Sequence, residues 1–133
     1  MYAIKYNKEA NSDEKLSELY LIRAEAAAEK ATPDFTLANA DLNLIRKRAD
    51  PSATNLNITV KNDLIDAILL ERRKELAFEG NLLFDLLRRK KDVTRVDATA
   101  TVKNLSTDDN RLIMPLPANT VNANKNMVQN TGY

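Results

Sequence analysis

The stretch LLERRKELAFEGNLLFDLLRR, from Leu69 to Arg89, places charged residues within a leucine and phenylalanine spacing that is typical of a partly buried helix. On a helical wheel of about 100° per residue, Arg72 falls near the centre of an apolar arc. Glu79 lies beside Arg72, and Glu75 lies at the edge of the same face. The arc consists of five residues: Leu64, Ile65, Ile68, Leu69 and Leu76. The partners of Arg72, Glu75 and Glu79 therefore bear on how this helix packs against its neighbours.

A buried charge without a partner costs on the order of several kcal/mol, so Arg72 should face a carboxylate or a carbonyl. The nearest candidates are Glu75 and Glu79 on the same helix and Asp85 on the next one. The first helix shows the same pattern, because Arg23 falls among the apolar residues of its stripe. We therefore predict a structural charged clamp, made of Arg23, Arg72, Glu75, Glu79 and Asp85, that fixes how the fourth helix turns back on the third.

Two other interpretations of these charges stay open. Glu75 and Glu79 could form the carboxylate pair of a glycosidase. Two glutamates beside an arginine are held ionised, however, whereas a general acid needs a raised pKa, and this disfavours catalysis. The charges could also bind a ligand.

The basic run RRKK, from Arg88 to Lys91, fits a solvated helix C-terminus, with a phosphate-binding or partner-binding patch as the alternative.

Composition narrows the classes of function. The chain has 133 residues, the length of one domain, and a net charge of +1, which gives no reason to expect nucleic acid as a partner. It contains no His and no Cys, which removes histidine-based acid–base catalysis, Ser-His and Cys-His nucleophiles and the usual zinc sites. We therefore predict no catalytic residue, no metal site and no cofactor.

The amino-acid sequence also shows no membrane-spanning or signal-peptide pattern. No apolar run approaches the roughly 18 residues of a membrane-spanning helix, so we expect no transmembrane helix. The stretch MYAIKYNKEANSDEK lacks the apolar region of a signal peptide. We expect either a protein that is not exported or a piece of a longer exported chain.

Apolar periodicity predicts an all-α fold in a single domain, residues 1–133, with helices at about 12–31, 33–49, 60–79 and 81–90. Ser12 and Thr32 are predicted caps, and the short connection ATPDF predicts that the first two helices form an antiparallel hairpin. Residues 92–110 read as a long irregular loop with room for a strand. The tail that follows is expected to be extended and to lie over the helices through its apolar residues Leu112, Ile113, Met114 and Leu116, with a disordered tail as the alternative.

Four stretches resemble the carboxy-terminal part of SusD/RagB-family proteins, in the same order: LSELYLIRAEAAAE, ANADLNLIRKRAD, LLERRKELAFEGNLLFDLLRR and LIMPLPANTVNANKNMVQNTGY. The resemblance covers roughly Leu16 to Tyr133. The chain departs from the family pattern at Asn81, Leu82 and Leu83, where a basic residue and an aromatic are usual, and at Asp50, where glycine is common. It also has NTGY in place of Asn-Pro-Gly-Tyr.

The resemblance implies antiparallel helical hairpins of the tetratricopeptide-like type, with irregular segments. It also implies a surface-exposed outer-membrane lipoprotein that captures glycans or other nutrients, without catalysis, and passes them to a TonB-dependent SusC-like transporter. Family members are several times longer and begin with a signal peptide and a lipidated Cys. We therefore expect this chain to be a carboxy-terminal fragment of such a protein.

Two functions follow as hypotheses. In the first, the chain belongs to a glycan-binding subunit and supplies scaffold more than ligand site, because it has no Trp and few aromatics outside the helical stripes. Four aromatics lie on these stripes and are expected in the core: Tyr20, Phe35, Phe78 and Phe84. In the second, it is a free-standing helical-repeat adaptor that binds a protein or peptide. The adaptor would need an exposed groove, for which Leu37, Leu44 and Leu70 are candidates.

Overall fold

The structure, a computed structural model, describes residues 8–96 and 98–133. Their contacts group them into two compact units, which divide between Asn81 and Leu82. The expectation of a single domain is not decided by this grouping and stays a prediction. The predicted all-α class is confirmed, with helical hairpins, a long irregular loop and an extended carboxy-terminal segment.

The first unit is built from three helices: α1 (Lys8–Glu29), α2 (Phe35–Ala49) and α3 (Lys61–Glu75). The predicted antiparallel hairpin of α1 and α2 is confirmed. The amide N of Asp34 donates to the carbonyl O of Ala27 at 3.0 Å, and further along the pair Arg23 reaches Asp41. Helix α3 packs against both members of the hairpin.

Helix α2 begins two residues later than the sequence predicts. Asp34, not Thr32, is its N-cap, because the Asp34 carboxylate accepts from the amide N of Leu37 at 3.0 Å. Arg46, Lys47 and Arg48 occupy its last turn, where cations oppose the negative end of the helix dipole. Helix α1 also differs from its predicted bounds: it begins at Lys8 and ends at Glu29.

One hydrophobic core lies between these three helices. Several of its residues are alanines, which let the helix axes come close. The core consists of Leu21, Ala24, Ala27, Ala28, Ala38, Leu42, Ile45, Leu64, Ile65 and Ile68. Every residue of this core therefore belongs to the first unit.

Two asparagines of α2 hold the segment that leads to α3. The side-chain amide of Asn39 donates to the carbonyl of Ile58 at 2.9 Å, and its oxygen accepts from the amide N of Ile58 at 2.9 Å. Asn43 makes the same pair of bonds to Leu56, both at 2.8 Å. In an extended chain, the backbone groups of residues 56 and 58 face the same side. The side-chain amides of Asn39 and Asn43, one helical turn apart on α2, therefore bind this segment as a neighbouring strand would.

Helix α3 ends at Glu75, four residues before its predicted end at Glu79. Phe78 has φ +71° and Gly80 has φ +79°, both in the left-handed region. Such residues cannot continue a right-handed helix. The break between the predicted third and fourth helices therefore begins before Gly80, in a turn that also includes Phe78.

The fourth helix, α4 (Asn81–Arg88), spans the division between the units, and the second unit continues from it. Lys90, with φ +51°, ends it in a Schellman pattern: the amide of Lys91 donates to Leu86 O at 2.9 Å and that of Lys90 to Leu87 O at 3.0 Å. The predicted helix to Lys90 is therefore two residues too long.

The long loop contains a small antiparallel ladder of β1 (Val93–Thr94) and β2 (Asn104–Leu105), with α5 (Ala100–Lys103) between them. Val93 is paired with Leu105, and both side chains are buried. A 3₁₀ turn at Asn110–Leu112 and α6 (Ala118–Ala123) follow.

Side-chain amides hold the tail in place. The amide of Gln129 pairs with both backbone groups of Leu116, each at 2.8 Å, and Asn130 donates to Met114 O at 2.7 Å. The Tyr133 hydroxyl donates to Ile113 O at 3.0 Å. Ile113 and Met114 are largely exposed, so these two do not anchor the tail through apolar burial.

Candidate functional site

Arg72 is buried on α3, as the wheel predicts, with 7% of its side chain exposed. Its recorded ion-pair partner is Glu18 on α1, at 3.4 Å between Nη2 and Oε1. Sequence reasoning did not consider Glu18, because the two residues lie 54 positions apart and only the packing of α3 on α1 brings them together. The pairing of Arg72 with Asp85 stays a prediction.

Arg23 forms a two-pronged ion pair with Asp41 of α2. Its Nε and Nη2 atoms each lie 2.7 Å from one carboxylate oxygen. The Asp41 side chain is 5% exposed, whereas that of Arg23 is 56% exposed and lies over the Tyr20 ring, 5.0 Å from its centroid. The hydrogen bond to Asp41 raises the pKa of the Arg23 guanidinium. This pair joins α1 to α2.

Glu75, the last residue of α3, forms an ion pair with Arg48 of α2, and Arg48 also donates to the Ser17 hydroxyl of α1. Ion pairs therefore connect each two of the three helices of the first unit, with Lys61–Glu29 as a second link between α1 and α3. Glu18–Arg72 joins α1 to α3, Arg23–Asp41 joins α1 to α2, and Arg48–Glu75 joins α2 to α3. Arg72, Asp41 and Glu75, whose side chains are largely buried, thus have partners on other helices.

The other two members of the predicted clamp form contacts of their own. Glu79 is exposed in the turn after α3 and accepts from the side-chain amide of Asn81 at 3.3 Å. Asp85 on α4 accepts from Arg88 at 2.9 Å. Because α3 ends at Glu75, Glu75 and Glu79 are not successive turns of one helix. The geometry gives no support to a paired-carboxylate glycosidase site.

An apolar groove lies beside the α1–α2 hairpin. We define the apolar groove by Leu16, Leu19 and Tyr20 of α1 and Leu44 of α2. Two cavities form it, of about 200 Å³ and about 310 Å³, and Leu16 and Tyr20 line both. The three leucines are 51%, 61% and 50% exposed in that order, which is unusual for clustered large apolar side chains.

The groove only partly matches the residues proposed for an adaptor. Leu44 lines it, whereas Leu37 packs against the hydrophobic core. Leu70 is exposed but does not line either cavity. The polar residues at the edges of the groove are Ser17, Arg23 and Arg48, and each has a recorded partner within the first unit.

Aromatic side chains are placed differently from the sequence expectation. Phe35 and Tyr20 pack against the core as expected. Phe78 is fully exposed and Phe84 is 70% exposed, so assigning these two to the core was wrong. Phe78 leaves the helix face because it follows the end of α3 in a left-handed turn.

Among the described residues, no group of three or more potential metal ligands occurs. No described helix combines the length and apolar character that crossing a bilayer requires.

Comparison with known proteins identifies the family. The profile of the SusD family, which includes RagB, matches residues 3–133. This chain belongs to the SusD family. Two solved proteins of Bacteroides vulgatus are each 33% identical to it over 89% of its length, with TM-scores of 0.75 and 0.74. One is described as a SusD superfamily protein and the other as a candidate sugar-binding protein. No curated protein matches this SusD-family chain.

The chain spans 27% and 28% of the lengths of those two proteins. One departure from the family pattern, at Asp50, is accommodated locally. Asp50 caps the C-terminus of α2 with φ −139°, an extended conformation that needs no glycine. The glycine kept in NTGY, Gly132, has φ +96° and lies where a Cβ would meet the Asn110 side chain.

Proposed function

We propose that this chain works as part of a SusD-like, non-catalytic subunit that binds glycans or other nutrients. The observation that carries the proposal is the family match over residues 3–133. A relative of 33% identity that is described as a candidate sugar-binding protein supports the ligand class.

Within such a subunit, this chain supplies scaffold more than ligand site. Sugar sites use exposed aromatic faces with hydrogen-bonding groups close by. Tyr20 is the aromatic that lines the groove, but Arg23 lies over its ring. Ser17 and Arg48 are hydrogen bonded to each other. The groove therefore offers apolar surface more than groups that recognise a sugar.

The family resemblance also supports a partner and a location. The complete protein would be a surface-exposed lipoprotein of the outer membrane that delivers its ligand to a TonB-dependent SusC-like transporter. A transporter gene next to the gene for this chain, and copurification of the two proteins, would support this arrangement. A gene neighbourhood without any such transporter would contradict it.

Calorimetric titration of the 133-residue chain against a panel of oligosaccharides tests the scaffold role. We expect no binding tighter than about 1 mM, a free energy of about −4 kcal/mol. Micromolar binding by the chain alone would show that it carries the ligand site.

A chimera tests the ligand-binding function itself. In this chimera, the chain replaces the segment that it matches in the candidate sugar-binding protein of Bacteroides vulgatus. The parent protein is first titrated with the same panel, to find a glycan that it binds. If the chain is scaffold, the folded chimera binds that glycan within about tenfold of the parent affinity, a difference of about 1.4 kcal/mol. Loss of all binding by a folded chimera would count against the proposal.

The non-catalytic assignment has a matched test in Glu75→Gln and Glu79→Gln. Glu75→Gln removes the ion pair with Arg48 and is expected to lower the thermal midpoint, whereas Glu79 is exposed and its replacement should change the midpoint little. Neither variant should alter glycan hydrolysis, because none is expected from the unmodified chain. Turnover that disappears in either variant would contradict the assignment.

One observation favours a second candidate, the free-standing adaptor. The apolar groove has the form of a surface that accepts a helix. An adaptor would bind a helical peptide from an unrelated protein there.

A further inference from the structure

Helix α1 carries apolar side chains on two faces. One face enters the core through Leu21, Ala24 and Ala28. The other presents Leu16 and Leu19 to the exterior, with Ile22 47% exposed alongside. A helix that is apolar around most of its circumference is normally buried on all those sides. The outer face of α1 is therefore a surface on which another element can pack.

The charges at the edge of the groove limit what that cover can be. Arg23 is held by Asp41, and Arg48 is held by Glu75 and Ser17. Both cations already have carboxylate partners, so an anionic ligand would have to compete with them. The chemistry of the groove therefore favours an apolar surface.

The shape of the groove favours a helix. Leu16, Leu19 and Tyr20 follow the i, i+3, i+4 spacing of one helix ridge, and Leu44 on the antiparallel neighbour forms the opposite side. A groove between two packed helices accepts the ridge of a third helix at the usual packing angles. An amphipathic helix can fill the cavities of about 200 Å³ and 310 Å³ with a few large side chains.

We propose that the apolar groove is the docking site for an amphipathic helix from the part of a SusD-like protein that lies outside the segment matched here. This inference rests on the proposed function. The match covers 27% and 28% of the two solved relatives, so most of a protein of that length remains to supply the helix. The proposal differs from the adaptor function in its occupant, which comes from the same protein.

A single introduced cysteine reports whether the groove is covered. The chain contains no Cys, so Leu19→Cys places one thiol in the groove and Thr36→Cys places a control thiol at an exposed position of α2. Each variant is made in the 133-residue chain and in the chimera defined above, after any cysteine of the Bacteroides part has been replaced by serine. The rate of maleimide labelling is then measured.

We expect Leu19→Cys to react as fast as Thr36→Cys in the chain alone, and at least tenfold more slowly in the folded chimera. Thr36→Cys should react at similar rates in both. Equal labelling of Leu19→Cys in the chain and in a folded chimera would overturn the proposal. Protection in the chain alone, together with a doubled mass by light scattering, would also overturn it, because the occupant would then be a second copy.

A second measurement covers the case in which the chimera does not fold. The remainder of the Bacteroides protein, carrying an affinity tag, is expressed together with this chain. The unmodified chain should copurify with it, and Leu16→Glu/Leu19→Glu should not, while the double variant keeps its helical circular dichroism. Equal recovery of both chains, or of neither, would contradict docking through the groove.

Glycan binding by the chimera is a separate measurement. A protected groove in a chimera that binds no glycan would refute the proposed function and leave the docking site standing. An accessible groove in a chimera that binds glycan would refute the docking site and leave the proposed function standing.

Discussion

At the level of single residues, three largely buried charges of the first unit are paired between helices. Arg72, Asp41 and Glu75 have largely buried side chains, and each has a recorded partner on another helix. Removing a charge from water is unfavourable, so such pairs fix an arrangement more than they add net stability. We therefore expect the pairs to specify which helix faces meet.

Arg72 offers a test of this role. Arg72→Ala leaves a cavity and removes the partner of Glu18, and we expect it to lower the free energy of unfolding by about 2 kcal/mol. The partly exposed Glu18 can be hydrated, which limits the loss. Arg72→Met fills the same space and should cost less than about 1 kcal/mol.

Urea denaturation measures these differences, with Arg73→Ala as the control. Arg73 is the exposed neighbour on α3, and its replacement should change the free energy of unfolding by less than about 0.5 kcal/mol. Equal effects of Arg72→Ala and Arg73→Ala would show that Arg72 is not held by the packing described.

Asp109 in the second unit gives a pH-dependent prediction. Two bonds from the Arg111 guanidinium, at 2.8 and 2.6 Å, lower the pKa of Asp109 to about 2. Because the folded-state pKa lies below the usual aspartate pKa of 3.8, this pair stabilises the fold above that pH. The contribution is lost as the pH falls from there through about 2.

Carboxyl titration by NMR checks the value directly. We expect Asp109 to titrate near pH 2 in the unmodified chain, and closer to its usual value in Arg111→Gln, which lacks the guanidinium. An unchanged midpoint in the variant would show that Arg111 does not cause the shift.

At the level of elements, hydrogen bonds from side-chain amides replace regular backbone pairing. Asn39 and Asn43 hold residues 58 and 56 in the first unit, and Gln129 holds Leu116 in the second. Each amide has one donor side and one acceptor side, so it satisfies both backbone groups of one residue. Segments that are neither helix nor strand are thereby fixed in place.

Asn39→Asp tests this arrangement. Asn39 is buried, and its amide group donates to the carbonyls of both Ile58 and Phe35, at 2.9 and 2.7 Å. An aspartate at this position cannot donate when ionised, and it would face those two carbonyls. We expect a loss of about 2 kcal/mol in the free energy of unfolding.

Asn57→Asp is the matched control, since Asn57 is exposed in the same segment. It should change the free energy of unfolding by less than about 0.5 kcal/mol. Urea denaturation measures the free energy of unfolding of both variants. A similar decrease in both would argue against a specific role for the Asn39 amide.

At the level of the whole molecule, the two units differ in how much apolar surface they bury. The ten-residue core lies entirely in the first unit. Among the described residues of the second unit, only Val93 and Leu105 count as buried hydrophobic residues. Small domains with little buried surface are rarely stable alone.

We therefore expect a chain that ends at Gly80 to fold independently, and the piece 82–133 not to fold alone. The shorter chain should keep a helical circular dichroism spectrum and unfold cooperatively in urea, because the core of α1, α2 and α3 is retained. The piece 82–133 should show no cooperative transition. A random-coil spectrum of the chain ending at Gly80 would contradict this division of stability.

Local signals account for what could be predicted at each scale. Apolar periodicity located the four main helices to within a few residues at most ends, and the short connection after α1 predicted the hairpin. The end of α3 was misplaced because the left-handed conformation of Phe78 has no signal in a residue type that rarely adopts it. The apolar groove could not be predicted from local signals, because Leu16 and Leu44 are distant in sequence and line one cavity only when α1 and α2 pack together.

The sequence by itself determined the all-α class, the hairpin, the burial of Arg72 and the resemblance to the SusD family, because spacing and residue type are local properties. Tertiary structure alone decided that Arg72 meets Glu18, that amides of α2 bind the segment before α3, and that one face of α1 is exposed in the first unit. These outcomes depend on which surfaces meet across long stretches of chain, and no local pattern encodes that.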